Sequence, residues 1–395
     1  MQSLDLDSKL TGRRRWTQKG LEWACRLGIG LTAFVMLIFF AALGYRGIGA
    51  FSQTKIVVEI NEIQSSPKKS INAALYQLVD APSRKEKKSL RGMVTPNAFS
   101  TIDLTKPGKY TLVAHTNIDM YVKGVYNKLD EVQQPIVDQL IKDGKIYRTW
   151  NWDFWTNSDS RSPEIAGIRG ALIGTLYTIG IAILLAFPIG VGCAIHMEEF
   201  SDRKGKKARR YRDFMEININ NLAAVPSIVY GLLGLAVLIN LLQLPRSASI
   251  VGALTLSVLV LPTIIIASRT ALRTVPQSIR DASNALGASR VQTVVYQVLP
   301  AALPGIITGT IIGIARAIGE SAPLIMIGMV AFILTAPSTP MDPATTLPVQ
   351  IYLWADSPER GFAEKTSAAI LILLGILVTL NLLAIWLRKR FEIKW

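Results

Sequence analysis

GALIGTLYTIGIAILLAFPIGVGCAI, residues 170–195, is a run of 26 residues without one charged side chain. A helix needs about 20 such residues to cross about 30 Å of hydrocarbon, whereas a lipid-facing strand would alternate over about 10. The stretch therefore reads as a membrane-spanning helix. Five more stretches of comparable length surround it: 27–45, 217–244, 247–268, 305–335 and 367–387. Four of these carry no charge, and 305–335 carries only Arg316 and Glu320. The fold class expected is an all-α polytopic membrane protein with six transmembrane helices. Composition agrees, since 50% of the 395 residues are hydrophobic and 18% are charged, against about 25% charged in soluble domains.

A net charge of +15 in a soluble protein would suggest nucleic-acid binding. Its distribution here has another meaning. Residues 1–26 hold six Lys and Arg, 196–216 hold seven, 269–304 hold four, and the tail after Leu387 holds four. The short links on the opposite side hold only Arg246, Arg360 and Lys365. Lys and Arg mark the cytoplasmic side, so both termini are expected there. After their ten acidic residues, those four segments keep +11 of the charge. Basicity is thus a topology signal, and no nucleic-acid partner is expected. The first stretch reads as an uncleaved helix, because 26 residues precede its apolar core and no clear cleavage site follows. Cys25 and Cys193 fall at cytoplasmic ends, where thiols stay reduced. Neither has a neighbouring ligand set, and His196 alone does not make a metal site.

The expected organisation is a basic N-terminus (1–26), a first transmembrane helix (27–50), an external insertion (51–164) and a five-helix core (165–395) with a cytoplasmic loop at 269–304. Within the insertion, 55–63 alternates as a strand does and 110–113 is a second strand. Residues 130–142 read as a helix with Val132, Ile136, Val137 and Leu140 on one face and Gly144 as its stop. The basic run 83–91 reads as an exposed loop, and Tyr147, Trp150, Trp152, Phe154 and Trp155 as an aromatic girdle at the bilayer surface. Together these give a small α/β domain with no catalytic constellation.

Inside the fifth stretch, Arg316 and Glu320 are charges where hydrocarbon is expected, which costs several kcal/mol for an isolated group. Four residues apart, they share a helix face and partly neutralise each other. Gly305, Gly309 and Gly313 form a stripe that lets another helix approach closely, and Pro323 is expected to bend the helix a turn later. The bland reading of the pair is a packing ion pair. The functional one is an anion site, since a guanidinium offers phosphate oxygens a planar fork. A carboxylate beside it could accept a proton-bearing oxygen, which phosphate has at neutral pH and sulfate lacks. Arg269 ends the fourth stretch as an anchor or a pathway residue, Arg169 snorkels, and Asn218, Asn220 and Asn221 suit interhelical hydrogen bonds.

The loop 269–304 contains Asp281-Ala282-Ser283, then Gly287, then Leu299-Pro300. This pattern resembles the EAA loop of ABC importer permeases, with Asp281 for the usual Glu and Gln297 where an aliphatic residue is common. The segments 157–168, 225–231 (VPSIVYG) and 315–323 (ARAIGESAP) widen the resemblance to permease subunits of phosphate-specific ABC importers of the PstA type, over about 230 residues from Asn157 onward. The resemblance implies a bacterial inner-membrane protein with a permease fold, carrying phosphate by alternating access. It implies that 281–300 docks on a separate ATPase. It also implies a second permease chain (a PstC-type homologue or an identical copy), two ATPase copies binding MgATP, and a periplasmic phosphate-binding protein. No G-x-x-x-x-G-K-[ST] stretch occurs, so this chain is not expected to hydrolyse ATP or hold a cofactor. Without the resemblance, the residues alone say only that an anion could meet an intramembrane arginine. A sensor would need a cytoplasmic output module, and no cytoplasmic segment exceeds 36 residues. An intramembrane enzyme would need a nucleophile and base, which are not evident around the two histidines.

Overall fold

The computed structural model describes residues 2–61, 66–79, 82–95, 107–201 and 206–391. Helix α1 (Gln2–Gly47) runs unbroken through the first apolar stretch, and its side chains from Leu27 to Phe40 are largely exposed, as on a lipid-facing helix. A 3₁₀ turn, Ile48–Phe51, delivers the chain into strand β1 (Ser52–Ile60).

The insertion continues as α2 (Pro67–Tyr76), α3 (Arg84–Arg91), β2 (Gly108–Val113), α4 (Thr116–Val122), α5 (Gln133–Lys142) and β3 (Ile146–Trp150). Its three-stranded sheet has the order β2-β1-β3 with both pairs antiparallel, and Ile56 stands opposite Leu112 and Ile146. Ile56, Val58, Ile71, Leu75, Leu90, Leu112 and Leu140 close a core between sheet and helices. Ile63, at the end of the expected strand, lies outside the described residues. Helix α5 starts three residues later than its periodicity suggests, buries Ile136, Val137 and Leu140, and stops at Gly144 with φ +70°.

Residues 83–91 are not a loop. They form α3, capped by Ser83, which accepts from the Glu86 N–H while the Glu86 carboxylate accepts the Ser83 N–H at 2.6 Å. One fully buried leucine, Leu90, anchors a helix whose other residues are nearly all charged. Strand β3 was hidden in the aromatic run. Trp150 and Trp152 are exposed, but Phe154 is buried, and Phe51 stacks on Trp150 and Trp155.

A short α6 (Asp153–Thr156) leads through 157–168 into α7 (Arg169–Ile195). Then come α8 (Lys206–Ala224), α9 (Ser227–Leu233), α10 (Ser249–Thr274), α11 (Gln277–Ala285), α12 (Arg290–Thr293), α13 (Leu299–Gly319), α14 (Ala322–Met326), α15 (Leu347–Ala355) and α16 (Gly361–Phe391). Among the described residues, five helices are long and apolar enough to cross a membrane, and 209–224 with 227–241 form a sixth, bent by 99°. The third stretch is therefore not one straight helix. Pro226 removes a backbone donor and drives Val225 out of helical geometry.

The bent pair is still a crossing. Gly252 of α10 lies against Thr178 of α7, and Gly190 of α7 lies against Ile264 of α10, so these two helices run parallel. The chain between them must return across the layer. The fifth stretch also differs from expectation: α13 ends at Gly319, Glu320 is extended, and Pro323 opens α14 instead of bending α13. Beyond Met326 the chain is irregular as far as α15.

The α/β domain sits at the end of the frame where α1 finishes and α7, α10 and α16 begin. Gly47 touches Ala368 there, and Ala50, Ala171, Leu347 and Ala368 share one cluster. The basic segments lie at the opposite end. Buried polar contacts bolt the domain down: Lys123 reaches Asp119 at 2.5 Å and Glu364 at 2.9 Å, and Lys365 donates to the Ala166 carbonyl. Glu164 accepts from both the backbone N–H and the hydroxyl of Thr116.

Candidate functional site

Helices α10 and α13 cross at close range. A Cβ on Gly309 would stand 2.1 Å from the Ala267 Cβ, one on Gly305 2.7 Å from the Ala271 Cβ, and one on Gly313 3.0 Å from Val260. At Gly305 and Gly309 a methyl group would force a shift, and at Gly313 the Val260 side chain would have to give, so the stripe sets the separation of the two axes. The same contacts show that the helices are antiparallel. Continuing the register places Arg316 beside the middle of α10, halfway through the apolar layer.

Arg316 occupies the last turn of α13, where a cation meets free backbone carbonyls favourably. Its Nε is 3.6 Å from Glu320 Oε1, and the two side chains are 47% and 20% exposed. At that length the pair is a loose contact rather than a closed hydrogen bond. The break at Glu320 faces the break in the third span: a Cβ on Gly231 would meet the Cα of Pro323 at 2.7 Å. Tyr230 donates to the Leu222 carbonyl at 2.6 Å and so secures the end of α8. VPSIVYG and ARAIGESAP, far apart in sequence, thus meet at two helix breaks beside the mid-layer arginine.

Arg269 does not join that place. It stands nine residues of α10 nearer the basic end than the residue beside Arg316, about 13 Å at 1.5 Å per residue. Its guanidinium is 7% exposed and held by Glu198 at 2.8 Å and Glu216 at 3.0 Å. Its Nε and Nη2 are thus engaged by two carboxylates, and in this structure Arg269 braces α10. Arg273 shares Glu198 at 2.8 Å.

The loop beyond α10 is built around a second buried pair. Arg280 of α11 donates to Glu199 through Nη2 at 2.5 Å and Nε at 3.2 Å, and its remaining donors meet the carbonyls of Leu272 and Val275. Asp281, Ala282 and Leu286 stay exposed on and beside α11, and Ser283 is tied to Thr293 at 3.0 Å. Gly287 makes the turn at φ +79°, a conformation other residues resist. Ser289 then caps α12, and the helix runs through Leu299 and Pro300 into α13. Exposed Leu286, Val291, Val295 and Tyr296 give this end of the frame an apolar face. The acidic partners Glu198, Glu199 and Glu216 and the role of Arg280 were not read from sequence. The only hint was two adjacent glutamates directly after a span.

Residues 186–394 match the family model described as binding-protein-dependent transport system inner membrane component. The phosphate transport system permease protein PstA 1 of Mycobacterium tuberculosis is 34% identical over 243 residues, covering 60% of this chain and 76% of its own. The probable ABC transporter permease protein YqgI of Bacillus subtilis is 33% identical over 251 residues, covering 60% and 83%. Among solved structures, an inward-facing MetNI methionine ABC transporter chain aligns over 57% of this chain and 96% of its own, with 20% identity and a TM-score of 0.44. With a family match over more than half its length and a span frame of this kind, the chain belongs to the inner membrane components of binding-protein-dependent transport systems, the permease subunits of ABC importers.

Proposed function

We propose that this permease carries inorganic phosphate from periplasm to cytoplasm by alternating access, driven by ATP hydrolysed on partner subunits. The observation that carries the reading is Arg316: a half-exposed guanidinium halfway through the apolar layer, loosely paired to Glu320 where two broken helices meet. Facing lipid there would cost several kcal/mol, so its open side belongs to a polar path. A second permease chain, a PstC-type homologue or an identical copy, closes that path from the other side. Relatives named as phosphate transport system permeases support the choice of anion.

In this reading the Arg316 fork takes two phosphate oxygens and gives up its weak contact to Glu320. The freed carboxylate accepts the proton-bearing oxygen, which sulfate does not offer. Helix breaks at 225–226 and 320–321 let the outer halves of two spans move without unwinding the inner halves. Two ATPase copies, each holding MgATP, dock on the loops of the two permeases, here on α11 and the exposed apolar face beside it. The Arg280–Glu199 pair then passes α11 displacement to α7 as well as α10. A periplasmic phosphate-binding protein delivers substrate on the side of the α/β domain, and both termini are cytoplasmic.

The test is ATP-dependent uptake of labelled phosphate into proteoliposomes holding the complete transporter. Unlabelled phosphate should compete and sulfate in large excess should not. Equal competition by sulfate, or uptake of a different solute alone, would point to an importer for another oxyanion or small solute.

A further inference from the structure

Three guanidiniums, those of Arg46, Arg148 and Arg360, line one cleft of about 460 Å³ between the end of α1, the start of α16 and the α/β domain. None of the three makes a salt bridge among the described residues. Arg148 is steadied by a 2.8 Å hydrogen bond to the Ser52 hydroxyl, and Arg360 lies over the Tyr126 ring at 4.2 Å. The acidic lining residue, Glu364, shares Lys123, at 2.9 Å, with Asp119 at 2.5 Å, and the three arginines leave the cleft positive despite these carboxylates. The cleft therefore offers several unspent, partly pre-oriented donors to an anion.

Its position says which anion. Arg46 directly follows the exposed apolar face of α1, and its neighbours Tyr45 and Ile48 are 88% and 66% exposed. Trp150, half exposed, lies on the same strand as Arg148, and Trp152 follows it. Exposed aromatic rings and arginines beyond an apolar helix face mark the level where hydrocarbon gives way to headgroups. A free ion would leave Ile48 and Val125 at the rim in water, whereas acyl chains would cover the α1 face leading to them.

We propose that this cleft binds the phosphate-bearing headgroup of an anionic phospholipid, with its chains lying along α1. Guanidinium forks take the phosphate oxygens, and the tyrosine rings pack on the glycerol region. The site is separate from Arg316, which lies mid-layer on another helix, so it survives if the transported solute is not phosphate. Occupancy would tie the α/β domain to the bilayer and fix the tilt of α1.

The test uses the full-length chain in its transporter complex, titrated with phosphatidylglycerol or phosphatidylcholine and read by native mass spectrometry. Phosphatidylglycerol should bind at least about tenfold more tightly. The double substitution Arg46→Gln with Arg360→Gln should remove that preference, while Arg169→Gln, an exposed arginine at the same end but outside the cleft, should leave it intact. Excess inorganic phosphate should not displace the lipid. Equal binding of the two lipids, an unaltered preference in the double variant, or displacement by inorganic phosphate would each overturn the assignment.

Discussion

Arg280 and Glu199 are joined by two hydrogen bonds, of 2.5 and 3.2 Å, in a site nearly closed to solvent, and this pair ties α11 to the π-helical end of α7. A helix otherwise attached to α10 by a two-residue link is thereby fastened to two spans. Removing one partner of a buried ion pair strands the other, at a cost of about 3–5 kcal/mol. Arg280→Ala should therefore lower the unfolding temperature of the subunit and weaken copurification of the ATPase. Arg280→Lys keeps the charge but loses the fork, and should retain assembly while ATP hydrolysis uncouples from uptake. Hydrolysis and uptake rates measured on the same proteoliposomes would show it.

The α10–α13 crossing makes a sterically sharp prediction. Gly309→Ala forces two methyl-sized groups into the 2.1 Å gap at Ala267 and should destabilise by about 1–3 kcal/mol. Ala267→Gly in the same chain vacates that space and should restore most of the loss. A double-mutant cycle by thermal unfolding in detergent checks this; equal losses with and without Ala267→Gly would mean the stripe does not set the spacing.

Burial pushes the Asp159 carboxyl above its ordinary value near 3.8, against the lowering pull of hydrogen bonds from the Trp354 side chain and the Ser160 backbone. A raised carboxyl stabilises the fold in its protonated form, and that contribution disappears as pH rises through the folded value. Asp159→Asn keeps an acceptor for the Trp354 N–H, 3.0 Å away, without burying a charge. The variant should be more stable at neutral pH by about 1 kcal/mol. Its stability should also fall less on raising the pH from 4 to 7 than that of the parent chain, as read from melting temperatures across that range.

Six crossings were legible because hydrocarbon forces every span to be long and apolar, whatever the packing. The break at Pro226 was not legible and the one before Pro323 was legible only as a bend, because proline alone does not announce an interruption. Pro188 and Pro262 sit inside intact helices, while Pro226 and Pro323 stand at interruptions. Charge misled in the other direction at α3, where one buried leucine outweighs a basic run. Of the candidate site, Arg316 and Glu320 stood out because a charge in an apolar run cannot be incidental. Arg269 reads as an anchor or a pathway residue and Arg280 draws no notice, since their partners Glu198 and Glu199 lie 71 and 81 positions away with no local pattern linking them.

Orientation has its own check. In a chain freed of Cys25 and Cys193, Lys87→Cys on α3 should react with an impermeant maleimide in intact spheroplasts. Arg290→Cys, at the start of α12, should react only after the membrane is opened. The reverse pattern would invert the topology and place the α/β domain in the cytoplasm.

Arg316 remains the residue on which the transport account turns, and Glu320→Gln tests its companion: phosphate uptake should persist while discrimination against sulfate falls. The most direct measurement is phosphate uptake by the Arg316→Ala transporter, with subunit stoichiometry determined on the same preparation. The account predicts uptake reduced at least about a hundredfold, a loss near 2.7 kcal/mol, in a fully assembled complex. Normal uptake, or a complex that no longer assembles, would contradict it and leave Arg316 a packing residue.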